Sequence, residues 1–517
     1  MSSILTNTSA MVALQTLKSI NSNLAQTQNE ISTGKAIASA KDNSAVWAIS
    51  KVMEADVNGF TAISDSLSLG ESTLAVAQKA SETVTDLLKD MKGKIVAAQE
   101  ENVDREKLQT DINALRDQIA SVVGAAQFNG LNMVQGFDDV NILSSLDRSS
   151  NGTVSASNIA VARQDLTTSA GTAGTTAVAS ITSYGSITAP GGTAAATGTT
   201  TDAAGKSATL TFGMAAAAVG GETFEIDING SKLNYTAAAG DTNDDVAAYF
   251  MSEINALGIE GISADATAAD LEISNTRAFS SVNVNVASST DSELEITDVN
   301  GAGAPTDPNA GTIEQRAETI DFSAAAGVAE GDSFKVTVGS QSLFDYVAGK
   351  GETMEDVARG LKTAIDSNLP DGVSTRVQFD SDTGQWSLAV DDETGGRDFA
   401  FSVTQDGTAS GGLFGLDSVD VTTDAGAAAA LDNIETMINT AIDAAADFGS
   451  AAGRVETQNE FISSLTDSLK AGIGSLVDAD MEAASARLQA LQVQQQLGTQ
   501  ALSIANQAPQ NILSLFR

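Results

Sequence analysis

The stretch from Leu488 to Phe516 contains no charged side chain, in a chain of 517 residues that carries 67 acidic and 27 basic ones. Leu488, Leu491, Ala501, Leu502, Ala505, Ile512, Leu513 and Leu515 supply apolar surface, and Gln, Asn, Ser and Thr fill most of the positions between them. An ordinary surface helix sets Lys and Glu on its outer face. This stretch offers only groups that tolerate burial once hydrogen-bonded, which describes a helix enclosed by other chains on all sides. The helix is expected to end near Asn506, ahead of a break at Pro509. The opposite end is similar, because Met1–Asn29 has Lys18 as its only charge. Two charge-free ends on an acidic chain point to assembly.

Composition removes several function classes. There is no cysteine, hence no disulfide and no thiolate nucleophile, and no histidine, the commonest general base and metal ligand. No cofactor or metal site is expected. A net charge of −40 argues against nucleic acid and anionic lipid as partners, since both are bound through basic patches. No run of about 18 apolar residues is present, so no membrane insertion is expected. The first lysine is residue 18, so no basic region precedes an apolar core, and export would need a route other than a cleaved signal peptide. The charge is concentrated in the middle: residues 146–424 hold 12 basic and 40 acidic side chains, against 11 and 17 before them and 4 and 10 after. The middle should therefore face solvent while the ends gather.

From Thr8 an apolar series runs Met11, Leu14, Leu17, Leu24, Ile31, close to the seven-residue rhythm of a coiled-coil seam. It breaks at Ser32-Thr33-Gly34, resumes over 46–53 and is expected to break again at Asn58-Gly59. A second series follows in Ile63, Leu67, Leu74, Ala77, Val84, Leu88, Met91 and Ile95. A third runs Leu108, Ile112, Leu115, Ile119, Val122, with Asn129-Gly130 as its end. From Ala427 the rhythm returns as one long helix that contains Gly449 and Gly453 and would pack along residues 60–125. Taken singly, each stripe reads equally well as the core face of a helical bundle.

Between these helical ends, residues 149–205 are rich in Ser, Thr, Ala and Gly and read as a loose connection with one or two strands. An internal repeat follows. Tyr235-x4-Gly240-Asp-Thr242-x2-Asp245-Val246-Ala247 recurs as Tyr346-x4-Gly351-Glu-Thr353-x2-Asp356-Val357-Ala358. Each Thr with its Asp three positions on forms a capping-box pattern. Alternating strands precede each helix (Phe224, Ile226, Ile228; Phe334, Val336, Val338), and short strands follow. Two ββαββ-like modules are expected at 206–305 and 306–424. Asp380-Ser-Asp382 lacks the rest of a calcium loop and reads as a polar hairpin turn.

Ile31–Ser50, ISTGKAIASAKDNSAVWAIS, closely resembles the signature of bacterial flagellins at the end of their first helix. Gln127-Phe-Asn-Gly-Leu131, Asp478-Ala-Asp480-Met-Glu482 and the run Ala505–Arg517 are similar to further flagellin motifs, in the same order. The resemblance covers about 1–145 and 425–517; within the insert, Ile226-Asp-Ile-Asn-Gly230 also looks like a short flagellin motif.

The resemblance implies an α-helical coiled coil and bundle built from both termini around a projecting variable insert; with the repeat read above, the expected fold is multidomain, its central α+β, β-rich insert containing two repeated modules. The implied segments are an inner-tube coiled coil at 1–33 and 484–517, a helical core at 34–145 and 425–483, a connection at 146–205, and the two modules. It further implies self-assembly into the flagellar filament for swimming, with Leu14, Leu17, Leu24, Ile31, Leu488, Leu491, Leu502, Ala505 and Leu513 in the interface. Implied partners are other copies of the chain, an export chaperone at the C-terminal helix, and cap and hook-junction proteins, with secretion by the flagellar type III apparatus to an extracellular filament. A hook–filament junction protein, which shares these termini, is the alternative. Flagellins that carry a peptidase use a histidine-based zinc site, which this chain cannot build, so an enzyme is not expected. Flagellins sensed by the mammalian innate receptor carry a run like Leu-Gln-Arg-Val-Arg-Glu-Leu. The matching run here is Leu88-Lys-Asp-Met-Lys92-Gly93-Lys94, which loses the planar guanidinium fork at Lys92 and departs again at Gly93 and Lys94.

Overall fold

Helices of up to 55 residues occupy both ends of the chain and strands fill its middle. The computed structural model describes residues 7–149, 153–189, 193–195, 199–200, 205–214, 220–290, 293–339 and 342–515. The chain divides into two units, one comprising residues up to Ser72, Val140–Val161 and Ser450 onward, the other Thr73–Asp139 and Ala162–Gly449.

In the first unit, helix α1 (Thr8–Thr33) is followed by α2 (Ser44–Ala98), which contributes residues to both units. The expected break at Asn58-Gly59 does not occur. A Cβ at Gly59 would lie 2.9 Å from Leu146 Cδ1, and one at Gly70 would lie 2.8 Å from Ile142 Cδ1. These glycines are notches for a hairpin, and its packing offsets the roughly 1 kcal/mol that a helical glycine costs. In the second unit, α3 (Arg105–Ala125) stops before Asn129-Gly130. Those two residues, at φ of 51° and 83°, turn a short hairpin of β1 (Gln127–Phe128) and β2 (Leu131–Asn132) instead of ending the helix.

The hairpin that fills the α2 notches is β3 (Val140–Arg148) with β4 (Val154–Val161). Gln458 Nε2 donates to Ser144 O at 2.9 Å, and the Arg148 guanidinium pairs with Asp56. Residues expected to form a loose connection are thus partly ordered against the helices. Further along, β5 (Thr176–Ala177), β6 (Gly185–Ala189), β7 (Thr193–Ala195) and β8 (Thr199–Thr200) join sheets of the insert.

The insert lies in the second unit. Its first part runs β9 (Lys206–Phe212), β10 (Thr223–Ile228), β11 (Ser231–Thr236), α4 (Asn243–Ala256), β12 (Ile262–Thr267), β13 (Asp270–Asn275), β14 (Val282–Ser288), β15 (Leu294–Val299) and β16 (Ala310–Ile313). Its second runs β17 (Glu318–Phe322), β18 (Ser333–Val338), β19 (Ser342–Val347), α5 (Met354–Asp366), β20 (Val373–Asp380), β21 (Gln385–Asp392) and β22 (Asp398–Gln405). The sheets are β11-β10-β14-β16 and β12-β13-β9-β15 in the first, and β19-β18-β22-β5 and β20-β21-β17-β6-β7 in the second. The expected ββαββ pattern is therefore extended by one strand at each end, β9 and β14 or β17 and β22. The end at 305 is also too early, since β16 completes a sheet of the first part. Alternating inward residues supply each core, around Phe212, Phe224 and Phe250 in one and Phe322, Phe334 and Phe401 in the other.

Both insert helices start as their sequences require: Asp245 accepts the Thr242 amide at 2.8 Å and Asp356 accepts the Thr353 amide at 2.7 Å. Asp380 accepts the Asp382 amide and the Thr383 hydroxyl, each at 2.8 Å, making the polar hairpin turn. Helix α6 (Asp424–Val477) also contributes to both units, and α7 (Met481–Leu515) closes the chain. No helix among the described residues is long and apolar enough to cross a membrane.

Candidate assembly surface

The charge-free ends meet in the first unit. Asn7 opens α1 by accepting the Ala10 amide on Oδ1 at 3.0 Å, and Gly34 closes it at φ +70°, a conformation glycine adopts without strain. Asp480 opens α7 in the same manner, its Oδ1 accepting the amides of Glu482 and Ala483 at 3.0 Å each. The helices lie antiparallel. Asn7 Nδ2 donates to Ala505 O at 2.9 Å, Gln495 Nε2 to Asn21 Oδ1 at 2.7 Å, and Arg487 stands 3.8 Å from Glu30.

On α1 the shielded residues are Ala10, Ala13, Leu17, Ile20, Leu24, Thr27 and Ile31, with Glu30 beside the last. On α7 they are Ala484, Leu488, Leu491, Gln495, Gly498, Leu502 and Ala505. The steps alternate between three and four on both helices, the spacing that keeps one stripe facing a partner. Gly498 matters at the closest approach, where a Cβ would lie 3.2 Å from Leu17 Cδ1 and 3.7 Å from Ile20 Cδ1.

Leu17, Leu24, Ile31, Leu488, Leu491, Leu502 and Ala505 are thus brought together. Leu14 is not. Ala13 occupies the stripe in that layer, and one residue further along a helix is a rotation of about 100°, which leaves Leu14 56% exposed. The side chain of Leu513 lies outside the described residues. Sequence reading missed Ile20, Thr27, Gln495 and Gly498; the three-residue step from Leu17 was the available signal for Ile20.

α7 does not stop at Asn506. It continues through Pro509 to Leu515, and the carbonyl a proline deprives of its donor, Ala505 O, is the one that Asn7 serves.

A second apolar surface remains uncovered: Met11, Val12 and Leu14 on α1, and Val493, Leu497 and Ile504 on α7, are 55–68% exposed. Covering each is worth about 1–2 kcal/mol.

The segment between the helices is anchored by its motifs. Ala36 N donates to Val477 O at 2.7 Å and Ala479 N to Gly34 O at 3.0 Å, which sets Lys35 opposite Asp478. Asp42 accepts the Ser39 amide at 2.9 Å and the Ala38 amide at 3.2 Å, and the Ser39 bonds hold its carboxyl below the usual range. In the second unit, Leu88 is fully buried, Lys92 pairs with Glu435, a Cβ added at Gly93 would meet open space, and Lys94 meets Asp111 at 2.6 Å.

Comparison with known proteins matches residues 4–139 to the bacterial flagellin N-terminal helical region and residues 431–516 to the bacterial flagellin C-terminal helical region. Flagellin FljK of Caulobacter vibrioides is 41% identical over 190 residues, spanning 36% of this chain and 69% of that protein. The chain belongs to the flagellin family. Flagellin A of Rhizobium meliloti is 29% identical over 524 residues, the full length of both. Among solved structures, flagellar hook associated protein-3 of Legionella pneumophila has 12% identity and a TM-score of 0.31, covering 82% of this flagellin and 98% of that chain. As a flagellin, the protein is a structural subunit of the bacterial flagellar filament and serves motility.

Proposed function

We propose that this flagellin polymerises through α1 and α7 as an antiparallel coiled coil lining an inner tube. Leu17, Leu24, Ile31, Leu488, Leu491, Leu502 and Ala505 form its seam, and Leu14 and Leu513 meet neighbouring copies. The carrying observation is a helix pair that has one apolar stripe satisfied and another left bare, with almost no charge on either helix. A helix pair with two such stripes is completed by further copies of itself, and a repeated non-closing contact yields a filament. Residues 34–145 and 425–483 form the surrounding helical shell, and the acidic insert projects to solvent. The insert holds two copies of one βββαβββ module, a reading supported by the equal strand orders and the twin capping boxes.

Export through the flagellar type III apparatus, a chaperone on α7 before assembly, and cap and hook-junction proteins as end contacts complete the proposal. The role is architectural, without cofactor or catalysis. Recognition by the mammalian receptor is weakened, because Lys92 and Lys94 replace the expected chemistry and both are held in ion pairs.

Leu502→Lys tests the assembly reading. An unpaired charge in the seam is strongly unfavourable, so the variant should be secreted and fail to form filaments. Filaments of parental length would overturn the reading.

A further inference from the structure

Resting on that assembly reading, we infer that Asn7 fixes the register of the α1–α7 pair by serving the backbone carbonyl that Pro509 leaves without a donor. In an α-helix the amide of residue i donates to the carbonyl of residue i−4. Proline has no amide hydrogen, and α7 is helical through Pro509. Ala505 O therefore lacks its intrahelical donor, at a position shielded by the seam. A carbonyl left unsatisfied there is costly. Asn7 Nδ2 reaches it at 2.9 Å while Asn7 Oδ1 caps α1 through Ala10 N. One carboxamide thus completes the start of one helix and a gap in the other.

The seam needs such a device. Along α1 a slide of seven residues exchanges Leu17 for Leu24 and Leu24 for Ile31, so this side of the seam opposes it weakly. The other cross-links are soft: the Gln495–Asn21 bond is exposed, and Arg487 is 62% exposed and 3.8 Å from Glu30. A seven-residue slip would carry Asn7 away from the one carbonyl a proline has freed in the described part of α7. Asn7 is a positioning residue for assembly.

The test exploits a chain without cysteine. Leu17→Cys with Gly498→Cys reports the observed register, the smaller side chain at 17 making room at 498; Leu17→Cys with Leu491→Cys reports a one-heptad slip. Disulfide yields are measured in polymerised full-length protein. Asn7→Ser keeps an N-cap but is too short to reach Ala505, so the in-register to slipped ratio should fall about fivefold, the equivalent of one hydrogen bond of about 1 kcal/mol. Pro509→Ala restores the amide, and in that background Asn7→Ser should leave the ratio unchanged. Filament melting of the cysteine-free single and double variants should show the same non-additivity. A ratio unmoved by Asn7→Ser, or an equal fall with and without Pro509→Ala, overturns the inference. Leu502→Lys is run beside it: normal filaments there would sink the assembly reading, whereas their loss with an unmoved Asn7→Ser ratio would sink only the register role.

Discussion

Tyr346 donates its hydroxyl to the carboxylate of Glu352, 2.8 Å from each oxygen, and the first insert module repeats the arrangement with Tyr235 and Asp241 at 2.6 Å. Burial pushes the Glu352 carboxyl up to about 7, against the bonds from Tyr346 and the Gly349 backbone that lower it. Burial beside this carboxylate likewise raises the Tyr346 hydroxyl far above its usual range. A folded pKa above the unfolded one means that the folded module holds a proton the unfolded chain releases. The associated stability is complete below about 4.5 and is lost as pH rises through about 7.

Glu352→Gln keeps an acceptor for Tyr346 and removes the titration. The parent's second module should lose about 3 kcal/mol of stability between pH 4.5 and 8, whereas the variant should stay flat across that range. Hydrogen exchange in β18 and β22 of the full chain reads this directly. Equal pH dependence in both proteins would exclude Glu352 as the titrating group.

Much of the architecture was legible because it is written in periodicity. The long stripes, the alternating strands and the two capping boxes are local patterns, and each formed its element. What stayed hidden depends on partners far along the chain. Gly59 reads as a helix breaker until Leu146 fills its notch, and Pro509 reads as a stop until Asn7 takes the carbonyl it frees. Leu14 lies off the α1–α7 stripe for a different reason: a seven-residue rhythm marks half a seam, and only the alternating three-four step separates Leu14 from Ala13 and Ile20. β6 was illegible within a Ser/Thr-rich run because its place is set by β17, more than a hundred residues later.

Lys206 and Glu318 form a buried ion pair at 3.1 Å between the first strands of the two modules. Glu318→Leu leaves the ammonium buried without that partner and should cost about 3–5 kcal/mol. Lys206→Met combined with Glu318→Leu should recover most of the loss, since an apolar pair of similar volume needs no desolvation. Urea unfolding of the four proteins of this cycle gives the coupling. Equal losses in the single and double variants would show that packing, not charge, sets the cost.

Before assembly the six bare apolar residues of α1 and α7 have no cover, and a lone helix pair of this composition is marginal in water. Limited proteolysis of the monomer should trim the chain to about Ile31 at one end and from about Leu488 at the other, sparing both units' remaining cores. The same protease should leave polymer intact. Equal protection of the termini in monomer and polymer would contradict the need for neighbours.

The insert can be excised where the chain itself closes it. Thr172 N donates to Thr408 O at 2.9 Å and Thr408 N to Thr172 O at 2.8 Å, so the two backbones already lie side by side. A two-residue Asn-Gly turn in place of residues 173–407 should join them with little strain. A cut beginning at 150 would instead sever the β3–β4 hairpin that fills the α2 notches. Excision has a local cost. Lys362 donates to Asn433 at 3.0 Å, and Met437 of α6 helps line a small cavity with Tyr346, Arg359 and Thr363, so Asn433 and Met437, buried now, would become exposed. The shortened flagellin should therefore be exported and should polymerise, with a lower melting temperature for its helical core that Met437→Gln partly offsets. Most of the 40 acidic residues of the middle region leave with the insert, which reduces repulsion between neighbours, so filaments should persist at low salt at least as well as the parent's. Electron microscopy across a series of ionic strengths reads both outcomes. A deletion protein that is exported and helical but never polymerises at any salt would place the insert within the assembly interface.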